Sequence, residues 1–473
     1  MALKVNEQSE AVKALAAEWP VLEALTGGTP AMRKAAKAHL PQWPAEEGDS
    51  YKARLETATL FPAYKRTVGV MAAKPFSKPI QLSPEVPKQI EGYCDDIDLQ
   101  GVNLHAFAAE MFNEALGFGM AGVLVDYPKV AAPGGLTVAA VERQGLRPYA
   151  VRVRHDQILG WRTALVGGQL RLTQLRLAES REAEDGDFGV VNVPQVRVLY
   201  PGRWEVWEKP EKGEWGVVDF GTTSLGYIPF VPFYGRRDGF MCGVPPLADL
   251  AYLNIKHWQS QSDQDTILHA ARVPILAMIG ADDDSQLVIG AGAAVKLPLS
   301  ADLKFVEHSG AAIEAGAKSL IALEEQMIQT GAELLVKKPG VRTAAESNND
   351  AEANKSELQR AAETFEDALD QMLQIFADYI RQKSGGEVSL FKDYGAATLS
   401  DASAVLIKDL QMAGLLSKAT ALTELQRRDV LSGDIDVETE LAAAEADGPA
   451  LGAMPTDPQG NPLPPAPAFG AAA

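Results

Sequence analysis

Three long stretches free of proline constrain this chain more than any other feature. Leu247 to Ala271 carries neither proline nor glycine and predicts one helix of about 25 residues that ends before Pro274. Ala311 to Val336 predicts a second helix. It starts narrow (Ala311, Ala312, Ala315, Gly316, Ala317) and then places Leu320, Leu323, Met327 and Leu334 at helical spacing. Asp350 to Lys383 predicts a third, with Leu358, Phe365, Leu369, Met372, Phe376 and Ile380 on one face and Ser384-Gly385-Gly386 as its stop. Short β segments fill residues 273–310, around Asp282-Asp283-Asp284, Gly290 and Pro298. Lys337 to Asn349 reads as a polar loop. The order is long helix, small β insert, long helix, loop, very long helix, which makes the class α+β and mostly helical.

The N-terminal half is mixed. Ala11 to Leu25 has helical spacing and stops at Gly27-Gly28. Thr29 is placed as the N-cap of a helix with Pro30 at its first position, running from Ala31 to Leu40. Ser50 is placed as the cap of Tyr51 to Met71, and Leu104 to Leu116 is a further amphipathic helix. Val123 to Tyr127 reads as a buried strand. Val151 to Arg154, Leu170 to Leu177, Gln195 to Tyr200 and Arg203 to Glu208 alternate apolar with polar, as half-buried antiparallel strands do. Gly167-Gly168 is the hairpin turn, and Arg181 to Gly189 reads as a charged loop. Residues 400–445 suggest two or three shorter helices. Eight acidic and no basic residues follow Arg428, and the Pro-, Gly- and Ala-rich segment from Gly448 has the composition of a disordered tail.

Charge and chemistry exclude several classes. The 473 residues suggest roughly three domains. Lys plus Arg total 44 against 63 for Asp plus Glu, a net charge of −19. That is incompatible with a generally basic nucleic-acid binder that works by neutralising phosphates. Two cysteines, Cys94 and Cys242, exclude a disulfide scaffold and read as free thiols in a reducing compartment. The start, MALKVNEQSE, lacks the apolar region of a secretory signal, and the most apolar stretch, Val273 to Ala281, is far short of the about 20 residues a membrane span needs. A soluble chain made in a cytoplasm is the expectation.

Catalytic signatures are weak. Gly117 to Gly122 matches GxGxxG by letter, but the order here is helix, glycines, strand, whereas a dinucleotide site needs strand, glycines, helix. No P-loop and no nucleophile elbow occurs. Asp265 and His269 share a helical face, with His257 about three turns away, too far for one metal centre in one chain. Asp282-Asp283-Asp284 lacks the spacing of a calcium loop. Neither an enzyme nor a cofactor is expected. Lys337, Lys338 and Arg342 stand out as a cationic cluster in an acidic chain, either a solvated interhelical loop or a contact to a polyanion.

Several strings, in this order and spacing, resemble the portal proteins of tailed bacteriophages, in a little-characterised branch of portal-like proteins. They are Gly27-Gly28-Thr29 with Ala31-Met32-Arg33, Tyr51-Lys52-Ala53-Arg54-Leu55, Arg66-Thr67-Val68, Gly119 to Pro128, Pro229 to Gly235, Pro245 to Leu250, Leu253-Asn254 and His257-Trp258. The likeness runs over roughly residues 20–440. It implies a homo-oligomeric ring of about twelve copies at the capsid vertex of a virion, assembled in the host cytoplasm. The ring would pass double-stranded DNA during packaging and ejection and would meet terminase, a head–tail adaptor, the major capsid protein and scaffolding protein. By the same resemblance residues 1–245 would be the wing, with 120–235 its β-rich part. Residues 246–272 and 311–336 would be the stem, 273–310 the clip, 337–350 the tunnel loop, 351–394 the long return helix, 395–447 the helical crown and 448–473 the tail. Lys337, Lys338 and Arg342 would then face DNA. Asp282, Asp283, Asp284, Lys296 and Lys304 would lie on the clip, toward motor and adaptor. Another head–tail connector or assembly protein is the first alternative, and a metal-dependent nuclease using His257, Asp265 and His269 the second.

Overall fold

The computed structural model describes residues 3–129, 143–210, 213–272, 275–279, 302–306, 310–335, 355–392, 411, 417–427 and 436–446. Helix α1 (Glu10–Ala16) opens on Ser9, whose hydroxyl accepts from the Val12 amide. Helix α2 (Trp19–Ala35) absorbs the expected break as a kink at Gly28, where φ is 76°. The single run expected over Ala11 to Leu25 is therefore divided between α1 and α2. Thr29 is not a cap, since its hydroxyl accepts from the Leu60 amide at 3.1 Å. The stretch toward Leu40 leaves α2 at Ala35 and finishes as a 3-10 turn, Ala36–Ala38. Tyr51 to Met71 forms two helices rather than one, α3 (Gly48–Thr57) and α4 (Ala63–Ala73). Pro62 stands at the N-cap of α4, because it has no N–H to continue a helix and disfavours helical geometry in the residue before it. Ser50 consequently lies inside α3.

The short strand β1 (Gln81–Leu82) and helix α5 (Lys88–Tyr93) lead to α6 (Leu104–Phe118), capped by the Asn103 side chain. Gly119 ends α6 and β2 (Met120–Asp126) follows at once, the helix–glycine–strand order read in the sequence. Strand β2 is the centre of a three-stranded antiparallel sheet, between β3 (Tyr149–Val153) and a strand from the far end of this region. A five-stranded antiparallel meander comes between: β4 (Ile158–Val166), β5 (Gln169–Asp185), β6 (Gly189–Tyr200), β7 (Arg203–Glu208) and β8 (Gly216–Thr222). Gly167 and Gly168, with φ of 60° and 80°, form the expected two-residue turn, whose right-handed twist requires positive φ at both positions. The segment Arg181 to Gly189 is a ladder rather than a loop. The β5–β6 register runs unbroken from Leu175↔Leu199 to Asp185↔Gly189. Most side chains there are solvated on both faces, so the apolar alternation that marks a strand is missing although the backbone pairing is complete.

Strand β9 (Phe230–Tyr234) closes the three-stranded sheet, and a small hairpin, β10 (Arg236–Gly239) with β11 (Cys242–Val244), precedes the long helices. These are α7 (Ala248–Ala271), α8 (Ala311–Ala332) and α9 (Glu357–Tyr379), with an antiparallel ribbon of β12 (Ile275–Ile279) and β13 (Asp302–Val306) between the first two. Helix α9 starts on a reciprocal Ser356–Gln359 capping box and ends at Tyr379, before the Ser384-Gly385-Gly386 stop. Strand β14 (Val388–Ser389) then pairs with β1. The main core lies where α9 crosses the three-stranded sheet and α6. Phe365 sits there with ring centroids 4.7 Å from Phe233 and 4.9 Å from Phe112. Each such aromatic contact adds about 1 kcal/mol beyond its area burial. Residues 1–392 form one compact unit and residues 393–473 a second. In the second, α10 (Lys418–Arg427) and α11 (Val437–Ala446) contact each other.

Candidate functional site

The helix–ribbon–helix unit is the most distinctive arrangement in the chain, and its contacts set its geometry. His257 on α7 meets Glu324 on α8 at 3.3 Å, while Gln264, two turns later, donates to the Ile313 carbonyl at 2.9 Å. Rising numbers on one helix meet falling numbers on the other, so the pair is antiparallel. Gly316 makes room for this: a Cβ there would stand 2.0 Å from the Gln264 side-chain oxygen. Leu320, Leu323 and Met327 of α8, and Leu334 just beyond it, are buried. Roughly 120° round the same helix, Ile321 and Ile328 stand 57% and 72% exposed. They are one heptad apart and form a second apolar face with no cover among the described residues.

Side chains of α7 also hold the N-terminal helices. Asn254 is fully buried; its Nδ2 donates to the Phe61 carbonyl at 2.8 Å and its Oδ1 accepts from the Tyr64 amide at 3.0 Å, satisfying the start of α4. Arg54 forms a double hydrogen bond with Glu46 at 2.7 and 2.8 Å, stacks on Trp43 and lies 3.8 Å from Asp263 of α7. The Arg54 partnership holds the Glu46 carboxyl below its ordinary value. Arg33 donates twice to the Ala58 carbonyl. The strings around Arg33, Arg54 and Asn254 are thus joints of the fold.

Most residues named from the sequence for contact with DNA, motor or adaptor lie outside the described residues: Lys337, Lys338, Arg342, Asp282, Asp283, Asp284 and Lys296. Lys304 falls on β13, opposite Ala277 of β12. The three candidate metal ligands do not converge. His257 is buried against Glu324, whereas Asp265 and His269 are exposed and Asp265 accepts from Gln261 at 2.8 Å. Among the described residues no group of three or more His, Cys, Asp or Glu could hold a metal ion. Cys94 is buried and unbridged, and burial pushes its thiol up to about 12.

Two polar arrangements carry no motif in the sequence. His155 is buried with Nδ1 2.6 Å from Glu114 and Nε2 3.4 Å from Glu23, stacked on the Phe118 ring. The other is a groove of about 980 Å³ between the five-stranded and three-stranded sheets. Arg197 crosses its floor, bonding Asp126 and, at 3.0 Å, Glu179. Burial opposes the Arg197 charge, and the two carboxylates outweigh burial, holding the guanidinium above its ordinary value. Burial also pushes the Tyr149 and Tyr379 phenols up to about 12, so both remain hydrogen-bond donors. The partners of Arg197 come from β2 and β5, elements far apart in sequence, so no local spacing announces the site.

Residues 246–380 match the family model described as a domain of unknown function, DUF4055. The match begins just before α7 and ends just after α9. No curated protein matches the chain. Solved structures similar to it include a chain from the neck of a native GTA particle computed with C12 symmetry, 14% identical over 77% of this chain and 89% of that one, with a TM-score of 0.40. A chain from the virion of a native gene transfer agent (GTA) particle is 14% identical, covering 83% of this chain and 97% of that one, with a TM-score of 0.39.

Proposed function

We propose that this chain is a portal-type subunit: a non-enzymatic structural protein that closes into a ring of about twelve copies and forms a channel for double-stranded DNA at one vertex of a phage capsid. The observation that carries this reading is the α7–ribbon–α8 unit with its uncovered second face. Helix α8 buries one apolar side against α7 and leaves Ile321 and Ile328 in water on another. A helix of an isolated subunit gains nothing from a second apolar stripe. In a ring, each copy presents one surface to the neighbour on its left and a different one to the neighbour on its right. A stem helix apolar on two sides meets that need.

The order of elements supports the same reading, because it follows the order of parts that the sequence resemblance implies. Lys337, Lys338 and Arg342 follow α8, where a loop returning toward the channel axis would stand. A net charge of −19 per copy suits a wall that must let DNA slide, since each phosphate neutralised by the wall strengthens capture. In this reading terminase supplies the ATP hydrolysis for packaging, and the chain needs no nucleotide site of its own.

The test is native mass spectrometry with negative-stain microscopy of the purified chain at micromolar concentration. Hollow rings near twelve times the 50.6 kDa subunit mass are expected. A compact monomer or dimer at every concentration, with or without scaffolding protein, would overturn the reading.

A further inference from the structure

The two faces of the five-stranded sheet carry their charges differently. In the groove toward the three-stranded sheet each lining cation is matched within the chain: Lys129 by Asp219 at 2.6 Å, Arg181 by Glu208 at 3.1 Å, Arg203 by Glu205 at 2.7 Å, and Arg197 by Glu179 and Asp126. That groove has no charge left to offer. Side chains alternate along a strand, so Arg197 and Leu199 of β6 line it while Val198 between them faces the other way.

On that other face lies a cavity of about 450 Å³, bounded by the sheet, the N-terminal segment and the stretch before β8. Its size falls within the range of about 300–1,000 Å³ usual for small-molecule sites. Three of the chain's seven tryptophans, Trp161, Trp207 and Trp215, line it together with Tyr200, all half-buried. Trp207 is fixed by donation from its Nε1 to Glu205 at 3.1 Å, and the Tyr200 hydroxyl accepts from Gln174 at 3.1 Å. The indole N–H groups of Trp161 and Trp215 have no acceptor among the described residues.

The cations of this cavity lack counterions. Arg176 is buried, with room for its guanidinium at Gly160, the residue opposite it in the ladder, where a Cβ would stand 2.7 Å from Nη2. Its Nη1 donates to the Lys4 and Val5 carbonyls at 3.0 and 2.7 Å, and its Nη2 to the Leu159 carbonyl at 3.4 Å. Those oxygens are neutral, and Arg176 has no ion pair among the described residues. Gly160 pairs with Arg176 and Arg162 with Gln174, so Arg162 and Arg176 are diagonal neighbours on one face. Arg162 is exposed and unpaired among the described residues, as is the Lys4 ammonium. Burial and the Arg162 charge hold the Arg176 guanidinium below its ordinary value, with Glu7 opposing them. Glu214 is the one carboxylate on the lining, against the three cations Lys4, Arg162 and Arg176. A partly buried charge without a counterion is costly, and an anion relieves it. The surplus of two positive charges matches a phosphomonoester, which carries about −1.5 to −2 at neutral pH, rather than a single carboxylate. The tryptophan walls suit a flat ring stacked beside that phosphate.

We propose that this cavity binds a nucleoside monophosphate, with Lys4, Arg162 and Arg176 serving the phosphate and Trp161 and Trp215 the ring. A free nucleotide and the 5′-phosphorylated end of a single strand present the same chemistry here. Binding a monophosphate involves no hydrolysis, so the site is compatible with ATP turnover by a separate protein. It belongs to the single subunit and does not depend on ring formation. Duplex DNA is a poor occupant, because its paired and stacked bases do not offer their faces to the tryptophans.

The test is isothermal titration calorimetry of the full-length chain with adenosine monophosphate, followed in parallel by tryptophan fluorescence. Saturable binding of one nucleotide per chain, with a dissociation constant below about 1 mM and quenched emission, is expected. Adenosine and inorganic phosphate, each lacking one half of the ligand, should bind at least about tenfold more weakly. Arg162→Ala removes an exposed, unpaired cation, so it should leave the melting temperature unchanged and weaken the nucleotide about tenfold. Lys129→Ala, in the opposite groove, should leave the affinity unchanged. Arg176 is kept, because it also ties the N-terminal segment to the sheet. Absence of binding at millimolar nucleotide, or an affinity that Arg162→Ala leaves unchanged, overturns the site. Inorganic phosphate or adenosine binding as tightly as the nucleotide overturns the ligand class. Displacement of the nucleotide by a 5′-phosphorylated single strand, and not by its unphosphorylated form, supports the proposal with a strand end as the source. Displacement by neither supports it with the free nucleotide as the source, and displacement by both overturns the role of the phosphate.

Discussion

Asn254 commits both ends of its amide to another helix, and the consequences of losing it are specific. Its replacement by alanine leaves the Tyr64 N–H and the Phe61 C=O without their partner in a site closed to water. An unsatisfied buried backbone group costs about 1–3 kcal/mol. Asn254→Ala should therefore lower the unfolding free energy by about 2–4 kcal/mol, read as a shift in urea midpoint with the slope unchanged. A midpoint within error of the parent's would show that this joint contributes nothing. Asp370 makes the opposite case. Burial lifts its carboxyl to about 6, the Val388 amide it accepts from at 2.7 Å pulls the other way, and Glu387, Asp367 and Glu366 add to the rise. Between the ordinary aspartate value of 3.8 and about 6 the folded chain holds a proton that the unfolded chain has released. Stability from this group is therefore greatest at the acid end of that window and falls as pH rises through it. Asp370→Asn keeps the acceptor for Val388 and removes the charge. The variant should gain stability over the parent as pH climbs from about 4 to above 6, with a flat difference beyond. A constant difference in midpoint across that range would refute the assignment.

At the scale of elements, legibility followed the exposure of each element's faces. Helices α6 and α9 were readable because each buries one apolar side, and the 3.6-residue period survives in the sequence. Helix α7 was found by the absence of breakers rather than by periodicity. Its buried face includes Asn254, His257 and Gln264, polar residues whose side chains bond to neighbouring segments, and Ser262. The arm of β5 and β6 was misread as a loop because neither of its faces is covered, so charge dominates its composition. The division between α3 and α4 was missed although Pro62 marked it, since apolar residues continue across the break. The groove around Arg197 was illegible for a different reason: its lining is gathered from both sheets and from Tyr379 of α9, elements spread over the sequence from Leu124 to Tyr379. The second face of α8 carries a prediction at this scale. Ile321→Lys with Ile328→Lys places two charges at sites more than half exposed in the subunit. The double variant should keep the parent's circular dichroism and its melting temperature within about 2 °C, since surface substitutions change stability by less than about 0.5 kcal/mol. It should fail to form rings, because two desolvated cations would stand in every interface. Rings of unchanged mass from the double variant would remove the α8 face from assembly.

At the scale of the whole molecule, charge decides between gripping DNA and guiding it. Duplex DNA carries about one charge per 1.7 Å of axis, and each phosphate neutralised by a protein contributes a slope of about −0.9 to the logarithmic salt dependence of binding. A protein that captures duplex DNA uses many such contacts. This chain carries −19, and the cationic cluster picked out by its sequence is Lys337, Lys338 and Arg342, in a loop assigned to the channel only by the proposed reading. Repeated around a ring, three cations per copy would give a narrow cationic collar within an otherwise acidic assembly, enough to centre a duplex that passes through and too little to hold one from outside. The unaltered chain should therefore show no retention of linear duplex DNA in a gel-shift assay at physiological ionic strength. Weak retention should emerge only at low salt and only for assembled rings. Replacing all three cations by alanine should abolish that residual binding while leaving the native mass of the ring unchanged, because the proposed reading turns these cations toward the channel rather than toward a neighbouring copy. Retention that survives both physiological salt and the triple replacement would mean that the chain grips DNA through another surface, and the conduit reading would fall with it.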